Sequence, residues 1–124
     1  MSITVEPTVY GTTLWQQVSD GTLELPSRNM SNSNASAVFA VLGIDLELDG
    51  WCGGLDATDM LGRVLIALAV NPVDAGMPQT EEQGERGATM IECGRRPGYI
   101  DEALLDIREI CNWARERGVE VQWA

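Results

Sequence analysis

Residues 99–117 carry an apolar stripe at helical spacing, and the rest of the chain has to cover that stripe. Ile100, Leu104, Ile107, Cys111 and Ala114 fall in line, because residues three and four apart share one side of a helix. Arg115 and Arg117 suit the negative C-terminal end, and Gly118 stands where a left-handed cap belongs. Val119, Val121 and Trp123 then alternate with Glu120 and Gln122, the period of a strand with one buried face.

Two more helices follow from the same reasoning. Over residues 33–42, Ala35, Val38, Phe39 and Leu42 share a face and Gly43 offers a C-terminal cap. Asp56 offers an N-cap for a helix running to Val70, which Asn71-Pro72 ends. Leu61, Val64, Leu65 and Leu68 form its stripe, but Ile66, Ala67 and Ala69 fill other faces. A helix so apolar all round is expected at the buried centre of the fold.

The remaining signals are shorter. Residues 2–10 favour a strand, which Pro7 should keep short or at an edge. Residues 13–19 fit two helical turns before Asp20-Gly21, and residues 22–25 read as a strand stopped by Pro26. Residues 88–93 read as another strand. Residues 73–87, rich in glycine and glutamate, read as a mobile loop. The expectation is one domain over residues 1–124, α+β or a small α/β, with about three helices on a short mixed sheet. The closing strand–helix–strand is compatible with a right-handed parallel crossover. The apolar ends at Val5 and Trp123 can pair within the domain or across a dimer, so a homo-oligomer stays open.

At 124 residues the chain can bury a core without disulfides or a metal. It contains no histidine and no lysine, so all eight basic residues are arginine. That removes the usual general base near neutral pH, the Schiff-base amine and the partner of most serine or cysteine nucleophiles. Only carboxylate, metal-assisted or thiol chemistry stays open. No compact pair of acids announces it, so the expectation is a protein that is not an enzyme.

Nineteen acids against eight arginines give a net charge of −11. Such a field repels phosphate backbones, which argues against direct nucleic-acid binding, and favours a basic protein partner. The longest apolar run, residues 64–70, is too short to span a bilayer. The start has neither a basic nor an apolar leader region. Cys52, Cys93 and Cys111 form no close pair and fit reduced thiols. Together these place the chain in the cytoplasm, away from membranes.

Three polar segments merit weighing. Residues 45–56 put Asp45, Glu47, Asp49 and Asp56 at loop positions 1, 3, 5 and 12, with Gly50 at 6. That is the layout of an EF-hand calcium loop, although position 12 is Asp rather than the longer Glu. The competing reading is a strand with Ile44, Leu46 and Leu48 inward, followed by a glycine turn. No cofactor is expected otherwise, and calcium is the lesser alternative. In residues 29–35, Asn29, Ser31, Asn32 and Asn34 exceed what one helix cap needs and can hold a ligand or neighbouring loops. In residues 93–99, Arg95 and Arg96 precede a helix N-terminus, a plausible small-anion site. Of the four tryptophans, Trp51 between Gly50 and Gly53-Gly54 is the one expected to touch a partner.

The pattern Asn29-x-Ser31-Asn32-x-Asn34-Ala35, then Cys93-Gly94-Arg95-x-x-Gly98-Tyr99 and a closing Val121-x-Trp123-Ala124, resembles short uncharacterised acidic proteins of actinobacteria and their phages. The resemblance runs from about residue 25 to the end and fits the arginine-only composition. It implies that the asparagine-rich and Cys-Gly-Arg loops belong to one arrangement, and it brings no activity with it. The function expected is therefore a cytoplasmic binding protein, a phage or prophage accessory factor engaging a basic protein through Trp51 and the 73–87 loop. The alternative is a small-anion binder using Arg95 and Arg96.

Overall fold

The computed structural model describes residues 1–70, 80–83, 89–92 and 97–124. It is a small α+β domain. β1 (Ser2–Pro7) pairs antiparallel with β2 (Arg28–Ser31) on one side and β6 (Val121–Trp123) on the other, and β6 pairs antiparallel with β3 (Gly53–Leu55). The order β2-β1-β6-β3 is antiparallel throughout rather than mixed. Its inner face is packed by helices α2 (Asn32–Val41) and α5 (Tyr99–Arg117), with α4 (Ala57–Val70) laid on α5. Two short helices, α1 (Leu14–Ser19) and α3 (Leu46–Asp49), complete the helical set among the described residues.

Alternation in β1 sends Ile3, Val5 and Pro7 inward and leaves Ser2, Thr4 and Glu6 on the outer face. Pro7 ends the strand, and the next amide, Thr8 N–H, carries the pairing on by donating to Glu120 O at 2.8 Å. So β1 is an interior strand, not an edge: proline costs a ladder bond only where its own N–H is wanted. Val5 stands opposite Trp123, so the two apolar ends meet within the domain.

The segment at 22–25 is not a strand. Leu23 N–H donates to Gln17 O at 3.0 Å, so this backbone is spent folding back on α1, and the strand forms beyond Pro26 where β1 offers a free edge. Arg28 then ties β2 to α5. Its guanidinium pairs with Asp106 and with Glu102 (3.6 Å), and lies 5.0 Å from the centre of the Tyr99 ring. Burial works against its charge, but hydrogen bonding with Tyr99 and Asp106 outweighs that and raises its pKa.

The buried centre is α5, not α4. Along α5, Ile100, Ala103, Leu104, Ile107, Ile110, Cys111 and Ala114 are all buried. α4 buries Ala57, Met60, Leu61, Val64 and Ala67 but leaves Leu65, Ile66 and Val70 exposed. The all-round apolar pattern marks α4 as able to be central, while its place on the flank of α5 decides which faces find neighbours.

The predicted crossover does not form. β5 (Thr89–Glu92) pairs antiparallel with β4 (Thr80–Gln83) in a separate two-stranded sheet, so α5 connects two different sheets. Residues 80–83, inside the expected 73–87 loop, are thus a strand, and the remainder of that loop lies outside the described residues. Among the described residues no helix is long and apolar enough to cross a membrane.

Phe39 and Trp123 close the core with rings 5.0 Å apart and tilted by 56°. The glycine at 53 follows from this packing: a Cβ there would lie 2.8 Å from Trp123 Cζ2, so only glycine lets β3 approach the indole without displacing it. The two described cysteines differ sharply in setting. Cys52 is exposed, whereas Cys111 is buried and burial pushes its thiol up to about 12. In a Cys93→Ser background a thiol reagent is expected to label Cys52 at once and Cys111 only on unfolding. The burial of Cys111 favours its neutral form, so its contribution to stability is intact below the ordinary thiol pKa and lost as pH rises toward about 12. Labelling of both thiols in native buffer would contradict this placement.

Candidate functional site

The outward face of α2 is built by the same pattern that buries its inward one. Ser31, in extended conformation, caps the helix by accepting the Asn34 N–H on Oγ at 3.2 Å. Ala35, Val38 and Phe39 turn inward, so Asn32, Ser33, Ser36, Ala37 and Ala40 are left on the other side. At the C-terminus Gly43 takes φ +76°, its N–H donates to Ala40 O at 3.1 Å, and Ile44 N–H donates to Phe39 O at 2.9 Å. This is a Schellman closure, which needs a left-handed residue and folds the following apolar side chain back onto the helix. Ile44 is buried accordingly.

That turn delivers Asp45 to the start of α3. Asp45 Oδ1 accepts the amides of Glu47 (3.0 Å) and Leu48 (3.3 Å), and Asp49 Oδ2 accepts the Asp45 N–H at 3.3 Å. Leu46 anchors the helical turn in the core while Leu48 points to solvent, 84% exposed. Gly50, at φ +104°, then redirects the chain. As a result Trp51 (39% exposed) borders a groove of about 530 Å³ with Asn32, Ser33, Ser36, Ala37, Ala40 and Glu47. A second hollow of about 490 Å³, along Gly43, Ile44, Asp45 and Leu46, shares Ser36, Ala40 and Glu47 with the first. The two form one continuous surface.

Its chemistry is simple. Small side chains keep the α2 backbone low enough for another chain to approach closely. Trp51 offers a large apolar ring at one rim and Glu47 a carboxylate that makes no hydrogen bond or ion pair among the described residues. Asp45 and Asp49 stand beside it, their carboxylates oriented by the backbone amides they accept.

The residues singled out in the sequence are divided among different places. Asn32, Asp45, Glu47 and Trp51 meet at this surface. Asn29 lies on the outer sheet face, donating from Nδ2 to Thr4 Oγ1 (2.8 Å) and Ser2 Oγ (3.2 Å). Ser31 is a helix cap, and Asn34 Oδ1 is buried without a partner. Arg95, Arg96 and Cys93 lie outside the described residues.

The calcium-loop positions take a different form from a wrapped ion. Residues 46–49 are helical, which also displaces the alternative strand over 44–48. Asp56 instead caps α4, its Oδ2 accepting from Thr58 N (3.1 Å) and Asp59 N (3.3 Å). Among the described residues no three His, Cys, Asp or Glu side chains group as a metal site. Ser36, Ala37 and Ala40, which also line the groove, were not singled out in the sequence. Their signal was available, since they occupy the helical phase opposite Ala35, Val38, Phe39 and Leu42.

No family model, no curated protein and no solved structure matches this chain.

Proposed function

We propose that this chain is a small non-enzymatic cytoplasmic binding protein whose outer α2 face, with Glu47 and Trp51, engages a basic protein partner. One observation carries the reading: an uncompensated carboxylate and a half-exposed indole border the same groove over a helix face of small residues. Aromatic anchors dominate binding energy when they enter a dry contact. The net charge of −11 speeds encounter with a positively charged surface and discriminates against acidic ones.

The test is a photo-crosslinking residue at Ala40, exposed on both hollows, in a high-GC bacterial host, followed by titration of the captured protein. The captured protein is expected to be basic, and its binding to weaken as salt rises. Trp51→Ala is expected to weaken it about 30-fold, the effect of an aromatic hot spot worth about 2 kcal/mol. Unchanged affinity in Trp51→Ala and Glu47→Gln alike would refute the proposal. An Arg95→Ala/Arg96→Ala chain is expected to keep the partner. If it alone loses binding, the small-anion reading replaces this one.

A further inference from the structure

We infer that the cleft beneath Tyr10 and Trp15 is a second site, one that takes a small alkylated ammonium ion. The cleft has a volume of about 430 Å³ and is lined by Glu6, Val9, Tyr10, Trp15, Leu25 and Gln122 among others, within the range of small-molecule pockets. It lies where residues 8–27 leave the sheet and return over its outer face.

The first argument concerns what α1 is for. A surface helix normally forms because it buries an apolar stripe, and α1 half-buries Leu14 and Val18 but leaves Trp15 exposed between them. Its tryptophan stands beside Tyr10 instead, with ring centres 5.0 Å apart and planes tilted by 60°. Local hydrogen bonds hold this pair in place. Gly11 takes φ +81°, Thr12 N–H donates to Val9 O at 3.0 Å, and Trp15 N–H donates to Thr12 O at 3.2 Å. The backbone that carries both rings is therefore set by these bonds, which lowers the ordering cost of binding. They remain 75% and 42% exposed, so the core does not account for them.

The second argument concerns charge. Glu6 projects from an interior strand into the cleft, and its neighbour across the ladder, Gln122, donates from Nε2 to Glu6 Oε1 at 3.3 Å. An amide orients the carboxylate but leaves its charge uncompensated, and Glu6 has no ion pair among the described residues. A neutral ligand filling the cleft would desolvate that carboxylate without a partner, and an anion would be repelled. Aromatic faces attract cations but offer them no hydrogen bonds. A primary ammonium entering here could bond Glu6 with some of its N–H groups, but those turned to the rings would lose hydration that the rings do not replace, whereas an alkylated ammonium is weakly hydrated to begin with. Two aromatic faces and one carboxylate match that group.

The probe is choline, its affinity for the full chain and each variant measured by isothermal titration calorimetry, with the Trp15 indole N–H resonance in nuclear magnetic resonance locating it on the unaltered chain. A saturable shift is expected, and 3,3-dimethylbutan-1-ol, the uncharged isostere, should bind roughly tenfold more weakly. Trp15→Leu and Glu6→Gln should each weaken choline roughly tenfold while the melting curve stays cooperative, as α1 contributes nothing to the core. Trp51→Ala should bind choline as the unaltered chain does, which separates this site from the α2 surface. The inference is overturned by the absence of a saturable shift, by equal binding of the neutral isostere, or by choline affinity that both cleft variants retain.

Discussion

A chain lacking residues 119–124 is expected not to fold. Those six residues supply β6, the strand between β1 and β3. Without it β3 has no neighbour in the sheet, and β1 loses the bonds that Thr4 exchanges with Ala124 (2.9 and 3.2 Å) and that Thr8 makes to Glu120 (2.8 Å). The core loses Val121 and Trp123, both buried. Truncating a buried tryptophan alone costs about 3–5 kcal/mol, against a total stability of about 5–15 kcal/mol for a domain. Adding the valine and the unpaired strands consumes that margin. Circular dichroism should show no cooperative melt and a hydrophobic dye should bind. Trp123→Ala in the full chain keeps the strand and should remain folded at reduced stability. A sharp melt in the truncated chain would show that the helices hold the domain without their sheet.

Phe39→Ala is expected to cost about 3–5 kcal/mol, the range for a fully enclosed phenylalanine. Phe39 is 0% exposed and lies 5.0 Å from Trp123, at the point where α2 meets the sheet. Surroundings pinned by β6 on one side and α5 on the other have little freedom to collapse into the void. The melting temperature should fall by roughly 10–20 °C for a domain of this size. The denaturation midpoint should drop with its slope unchanged, and Phe39→Leu should lose less. A loss below about 1 kcal/mol would mean the site refills, contrary to the close packing described.

The legible parts of the fold were those with a local cause. The stripe of α5 and its caps, the inward set of α2 with Gly43 behind it, and the capping role of Asp56 each follow from spacing and backbone hydrogen bonding within a few residues. Misreadings arose where local patterns are degenerate. Alternation over residues 44–48 suits a strand, but Asp45 can accept the amides of Glu47 and Leu48, and that cap turns the same residues into a helix. Pro7 argues for an edge strand until one knows that the ladder continues past it through Thr8.

The candidate sites divide in the same way. The exposure of Trp51 was legible because glycines flank it, and Glu47 stood out for its carboxylate. That both border the outer face of α2 depends on Gly50 redirecting the chain, which no spacing rule predicts. The Tyr10–Trp15 pair was invisible, because neither residue sits on a periodic stripe. Glu6 joins them only through β1's central place in the sheet.

The sequence alone determined the element types with strong period, the lack of histidine and lysine chemistry, the acidity, and a mixed helix–strand domain, α+β or small α/β. Only the tertiary structure decided that β6 lies between β1 and β3, that α5 rather than α4 is central, and which acids face a groove. The reason is physical. Periodicity and capping are set by neighbours along the chain, whereas strand order and the exposure of an apolar face are set by which distant surfaces compete for the same contact.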